Sequence, residues 1–178
     1  MKTQGSRSFA VSPPPAHAWM LLIALGGVLP LGIIGALWFS GQQARMSGVV
    51  VTMIVIPLVL ALLLLAMKRR SVELHDGVLD VRAALFRHQV AVSSLDLASA
   101  RIVDLREHTE LRPVLKTGGM SVIGFDAGHF RLRNKFGKAF CLLTDRSRVL
   151  WLPYRDGKEQ VLLSLQQPQA LLDALRST

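Results

Sequence analysis

Residues 160–176 read QVLLSLQQPQALLDALR, and a change of period within them decides the fold. Gln160–Leu165 is a short β-rich run. Gln167-Pro168 then opens a different element, because proline suits the first turn of a helix. Leu171, Leu172 and Leu175 form one apolar stripe across Gln169–Arg176, the signature of an amphipathic helix with one buried face.

Working back from that helix, the pattern is mostly period two, as in strands. Ser71–Leu74 leads into the tight turn His75-Asp76-Gly77. Val78–Ala83 follows, with Leu79, Val81 and Ala83 on one face and Asp80 and Arg82 on the other. Further strands are predicted at Arg87–Val92, Ala100–Leu105, His129–Arg133, Lys138–Thr144 and Val149–Tyr154, with turns at Asn134–Gly137 and Arg155–Lys158. Glu107–Lys116 is polar and fits either a helical turn or a loop. Gly118, Gly119, Gly124 and Gly128 punctuate the stretch after it. Short antiparallel strands closed by a terminal helix predict a curved sheet or open barrel. The helix would cover its open end and bury an exposed edge.

Upstream of this 71–178 domain the composition changes. Ala18–Phe39 (AWMLLIALGGVLPLGIIGALWF) and Gly48–Met67 (GVVVTMIVIPLVLALLLLAM) contain no Asp, Glu, Lys or Arg. A helix of about twenty residues crosses a hydrocarbon core about 30 Å thick. Trp19 and Trp38-Phe39 bracket the first run as interfacial aromatics do. Core helices of a soluble protein keep a polar stripe, which both runs lack. A signal peptide has a shorter apolar region and a small-residue cleavage site, which the first run lacks. The expected organisation is a tail over residues 1–17, a transmembrane hairpin (18–39 and 48–67, joined by Ser40–Ser47) and the β domain. Gly32, Ala36 and Ser40 recur every four residues, fitting either close helix packing or the ordinary abundance of small residues in spans.

The 178 residues carry a formal net charge of +9, unevenly distributed. Residues 1–70 hold six basic residues and no acid. Residues 71–178 hold fifteen basic and twelve acidic ones, the balance of an ordinary solvated surface rather than a nucleic-acid-binding stripe. Lys2, Arg7, Lys68, Arg69 and Arg70 flank the spans on one side, against Arg45 alone in the connection. By the positive-inside rule both termini are expected in the cytoplasm. No ionisable residue lies inside either span, which argues against transport by this chain alone.

Two N-terminal spans followed by such a domain resemble bacterial membrane proteins with a pleckstrin-homology-like domain. The residues carrying the resemblance are Val72–Leu79 (VELHDGVL), Gly124–Phe130 (GFDAGHF) and Val161–Leu175 (VLLSLQQPQALLDAL). The chain departs from the commonest form at Leu165 and Gln166-Gln167, where a proline and an acid are often found. The resemblance implies a membrane-anchored α+β fold: a helical hairpin followed by an antiparallel barrel of about seven strands capped by a C-terminal helix. It implies no catalytic residues and no cofactor.

Two groups of residues stand out as sites. Lys68-Arg69-Arg70 fits a stop-transfer anchor, or a contact to anionic lipid worth about 1 kcal/mol per charge. His129, Arg131 and Arg133 alternate on one predicted strand and so share a face. They form either an anion-facing strip or a plain solvated face. Asp76 sits in the first hairpin loop, where pleckstrin-type domains read phosphoinositides with basic residues, and argues against that ligand. The five histidines are scattered and Cys141 is the single cysteine, so no metal site is expected. Gly137-Lys138 is followed by Ala139 rather than a hydroxyl residue and makes no phosphate loop.

The expected function is a non-enzymatic protein of the bacterial inner membrane that presents its β domain to the cytoplasm for protein binding or scaffolding. Its partners would be the bilayer, an unidentified membrane or cytoplasmic protein and, as a further option, copies of itself, with no nucleic acid. The alternatives are an accessory subunit contacting a larger complex through the hairpin, and a hydrolase or transferase without a recognisable motif.

Overall fold

The computed structural model describes residues 7–39, 46–134 and 137–178. Lys2, the Ser40–Arg45 part of the connection (hence Ser40 of the small-residue repeat) and the middle of the Asn134–Gly137 turn lie outside the described residues.

The first apolar run is helical from Ala16 to Phe39, as α1 (Ala16–Ile23), a π-helical turn (Ala24–Val28) and α2 (Leu29–Phe39). Pro30 explains the turn. In a regular helix its ring would meet the carbonyl of Gly26. Widening the helix by one residue, so that the Leu29 N–H donates to the Ala24 carbonyl, relieves the clash. The second run is the single helix α3 (Met46–Lys68), with Pro57 inside it. The helices pack antiparallel where Gly26 and Gly27 meet Leu60. A Cβ on Gly27 would lie 2.9 Å from a Leu60 methyl, whereas Gly32 and Gly35 face open space. The seam therefore runs through the glycines of the π turn and not through Gly32. Both helices are long and apolar enough to cross a membrane, and only 11% of the most apolar window of each is buried. Neither is a core helix of this fold.

The β-rich part contains two sheets. The first has the order β1-β2-β3-β4, all antiparallel: β1 (Arg7–Phe9), β2 (Arg70–His75), β3 (Val78–Ala83) and β4 (Phe86–Ala91). Asp76 and Gly77, both at positive φ, close the two-residue turn between β2 and β3. The second has the order β5-β9-β10-β8-β7-β6, from β5 (Arg101–Val103), β6 (Pro113–Val122), β7 (Phe125–Leu132), β8 (Lys138–Leu143), β9 (Val149–Pro153) and β10 (Glu159–Ser164). The Glu107–Lys116 stretch divides into a 3₁₀ turn at Thr109–Leu111 and the start of β6.

Two expectations are corrected here. Among the described residues no sheet closes on itself, so the domain is two sheets rather than a barrel. Nor is it wholly antiparallel, because β10 inserts between β8 and β9 and pairs with β8 in parallel. The physical reason lies in Val161-Leu162-Leu163, a continuous apolar run with every residue buried. Such a run suits a central strand covered on both faces. Val161 and Leu163 face the main core with Phe140, Leu142, Leu150 and Leu152. Leu162 faces a second core with Cys141, Leu143, Val149, Phe130 and Leu132, which Val103, Leu105 and Leu111 cover.

The terminal helix α4 (Pro168–Arg176) lies where the sequence predicts it, with Leu171, Leu172 and Leu175 buried in the main core. The tail differs from expectation. Residues 7–12 belong to the β domain: Arg7–Phe9 pairs with Val72–Leu74, Val11 bridges Leu165, and the Ser12 N–H donates to the Ser164 carbonyl at 3.1 Å. The β2 edge would otherwise be unpaired, and β1 covers it. Ala66 and Met67, at the end of α3, are buried in the same core, and Trp19 and Leu22 of α1 pack against it. The helical pair is thus joined to the domain at both ends without a free linker.

Candidate functional site

The basic cluster is the joint between α3 and β2. Lys68 and Arg69 are exposed. Arg70 is partly buried, and its guanidinium donates to the Met67 carbonyl at 3.3 Å. Desolvation lowers its pKa.

The strip His129–Arg131–Arg133 is brought together only in part. His129 and Arg131 share a face of β7 and line a cleft of about 280 Å³ between the sheets. Arg133 lies beyond the strand, which ends at Leu132, and its N–H donates to the Arg112 carbonyl at 2.9 Å. Alternation therefore cannot carry it onto that face, and Arg133 is removed from the strip. His88 of β4, Lys138 of β8 and Glu159 of β10 complete the cleft wall, with Lys138 Nζ 3.8 Å from Glu159 Oε1.

At the back of this cleft the His88 ring stacks on Phe140 with centroids 4.7 Å apart, and His129 meets it edge-on at 5.7 Å. His88 Nε2 lies 2.9 Å from the Tyr154 hydroxyl. Burial, and then the charge of His129, lowers the His88 pKa. Burial, with help from Glu159 and Asp156, pushes Tyr154 up to about 12. Cys141 is fully buried, which raises its thiol pKa well above the ordinary value. Neither group is activated as a nucleophile.

A larger cleft, of about 1010 Å³, lies at the approach to α1. One wall is Ser12, Pro13, Pro15 and His17, and another is the tip of the β6–β7 hairpin, including Gly124. Arg106, from the loop after β5, and Thr144–Arg146, from the β8–β9 link, line the remainder. Asp126, on β7, is almost fully buried, with its carboxylate held on both sides. It accepts the Ser121 hydroxyl on Oδ1 at 2.5 Å and Arg146 Nη2 on Oδ2 at 3.2 Å. Asp145 accepts both the N–H and the hydroxyl of Ser147, which lowers its pKa. Asp126 is thus paired with Arg146, while Asp145 keeps its charge in the field of Arg106, which adds to the lowering of its pKa. The Thr144 hydroxyl is buried without a hydrogen-bond partner among the described residues. No group of three or more His, Cys, Asp or Glu suited to a metal occurs among them either.

Sequence reading did not single out this cleft, because its residues come from four separated segments. One signal was present. Asp126 falls on the same strand face as Phe130 and Leu132, and a carboxylate on an apolar face needs a buried partner.

Two sheets carrying a C-terminal helix are the architecture of a pleckstrin-homology-like domain. The model of the family described as Bacterial PH domain matches residues 71–178, and the chain belongs to that family. No curated protein and no solved structure matches the chain.

Proposed function

We propose that the protein is a non-enzymatic membrane-tethered binding module. Its hairpin α1–α3 crosses the bacterial inner membrane, both termini are cytoplasmic, and the PH-like domain presents a docking surface for a protein partner. One observation carries this reading. The helices leave Met20, Leu25, Val28, Ile54, Leu58 and Leu62 exposed along their length, while their domain-side ends are embedded in the folded core. Apolar surface of that extent on a soluble monomer would drive association. Lipid covers it, and the buried joint then holds the domain beside the bilayer. Lys68 and Arg69 sit where a stop-transfer anchor acts.

The docking edge we assign is β6. It ends the six-stranded sheet, its outer side pairs with no strand among the described residues, and Val114 and Leu115 are exposed on it. An open strand edge accepts a partner strand by main-chain hydrogen bonds.

Two measurements test the reading. A reporter fused after Thr178 is expected to report the cytoplasm, and the chain is expected to stay in carbonate-washed membranes. A periplasmic signal or release by carbonate overturns the tether. A photocrosslinker at Leu115 of the full-length chain in native membranes is expected to capture a partner that a crosslinker at exposed Arg148 misses. Equal capture at both positions overturns the edge assignment.

A further inference from the structure

The larger cleft does not end at the β6–β7 tip. Beside Val122 and Ile123 an apolar groove of about 190 Å³ runs along α1 and the π turn, lined by Leu21, Leu22, Leu25 and Gly26. The two cavities share Val122 and Ile123, so the tip borders both a chamber with charged side chains in its lining and an apolar groove. The tip is seated closely on the helix. A Cβ at Gly124 would lie 2.9 Å from the Pro15 ring and 3.3 Å from Ala18. Ile123 itself is 57% exposed.

We infer that this composite site holds one anionic membrane phospholipid, its phosphate in the chamber and an acyl chain in the groove. Three observations converge on that occupant. The chamber presents the guanidinium groups of Arg106 and Arg146 and the His17 ring; Arg146 and Ser121 hold Asp126, and Asp145 is held by Ser147 in the field of Arg106. Guanidinium pairs suit the oxygens of a phosphate. The Thr144 hydroxyl is buried in the chamber lining with no partner among the described residues, a donor lacking an acceptor. The groove is apolar and lies on the helix read as membrane-spanning, where acyl chains are the solvent. The site is separate from the first hairpin loop, whose Asp76 pairs with His75 at 2.8 Å.

The inference rests on the membrane-tethered reading, and the experiment separates the two. Full-length protein in a zwitterionic detergent is titrated with dioleoyl phosphatidylglycerol and dioleoyl phosphatidylcholine. Glycerol 3-phosphate and inorganic phosphate serve as acyl-free probes, and bound species are counted by native mass spectrometry. One phosphatidylglycerol per chain is expected, held about tenfold more tightly than phosphatidylcholine. Arg106→Gln removes an exposed guanidinium that does not hold Asp126, so it preserves the fold, and it is expected to lower that preference about fivefold or more. Ile123→Asn is expected to weaken retention of both lipids. Equal retention of the two lipids, or unchanged preference in Arg106→Gln, overturns the inference. So does an acyl-free phosphate that binds as tightly as the lipid, which would assign the chamber to a soluble anion. Loss of the chain from carbonate-washed membranes counts against the tether instead. A retained chain without lipid preference counts against this inference alone.

Discussion

At the residue scale, Gly128 shows how little room the β6–β7 hairpin leaves. Its φ is +112°, and it pairs across the ladder with Gly119. An added Cβ would lie 2.5 Å from the Gly118 carbonyl oxygen and 2.6 Å from the Gly119 Cα. These are backbone atoms that no rotamer change can move. Gly128→Ala is therefore expected to cost about 2 kcal/mol or more, as strained backbone plus clash. Thermal unfolding of the full chain in detergent checks it, and a midpoint equal to wild type would contradict the geometry. His88 gives a pH-dependent counterpart. Its folded-state pKa is lowered by burial and by His129, against a weaker opposing effect of Glu159. The unfolded chain therefore takes up this proton near pH 6.5 and the folded chain only below that. The stabilisation is complete above about pH 6.5 and is lost as pH falls towards the folded value. Replacing the ring by His88→Phe keeps the stack on Phe140 and removes the titration. The melting temperature of wild type is expected to drop between pH 7.5 and 5.5, and that of the variant to drop less. Parallel curves would show that His88 does not link folding to protons.

Elements integrate these local constraints. α4 binds the domain through three leucines at helical spacing, all buried in the main core. Truncating one buried leucine costs about 2–5 kcal/mol. Leu172→Ala is expected to lower the unfolding midpoint by that order, whereas Gln169→Ala, on the exposed face, stays near wild type. Similar losses in both variants would mean that the helix is not held by its stripe. This helix was legible in the sequence because proline, stripe and period agree within nine residues. β3 was equally legible, its Val78–Ala83 limits following from strict alternation and a glycine turn. Strand order was not legible. Chain neighbours usually pair, so β9 is expected beside β8, yet β10 takes that place. The clue was the unbroken run Val161–Leu163, which marks a strand buried on both faces but does not name its neighbours. The candidate sites divide the same way. His129 and Arg131 share a strand, so alternation joins them. Arg106 and Arg146 meet only because the link after β5 and the link after β8 fold over the same wall, a long-range relation that spacing does not encode.

The whole molecule depends on the six residues that sequence patterning placed outside the domain. Residues 7–12 run along β2 and then cross to the end of β10, touching both sheets before α1 begins. β1 is only three residues long, with no alternation to reveal it, and its stability comes from partners more than sixty residues away. Its position has a mechanical consequence. α1 leaves the domain from this segment, and α3 returns into buried Met67 and then β2, so a pull on either helix acts on the same edge of the first sheet. Deleting residues 2–12 from the full chain removes β1 and Val11, uncovers the β2 edge and frees the start of α1. Hydrogen exchange in detergent is then expected to accelerate at the β2 amides that bond to β1, by far more than at β8 and β10 in the centre of the other sheet. A fragment beginning at residue 71 lacks the same strand, together with Ala66, Met67 and Arg70, and is expected to melt well below the full chain. Unchanged β2 exchange in the deletion would mean that the first sheet stands without its N-terminal strand. The helical pair would then be held to the domain through α3 alone.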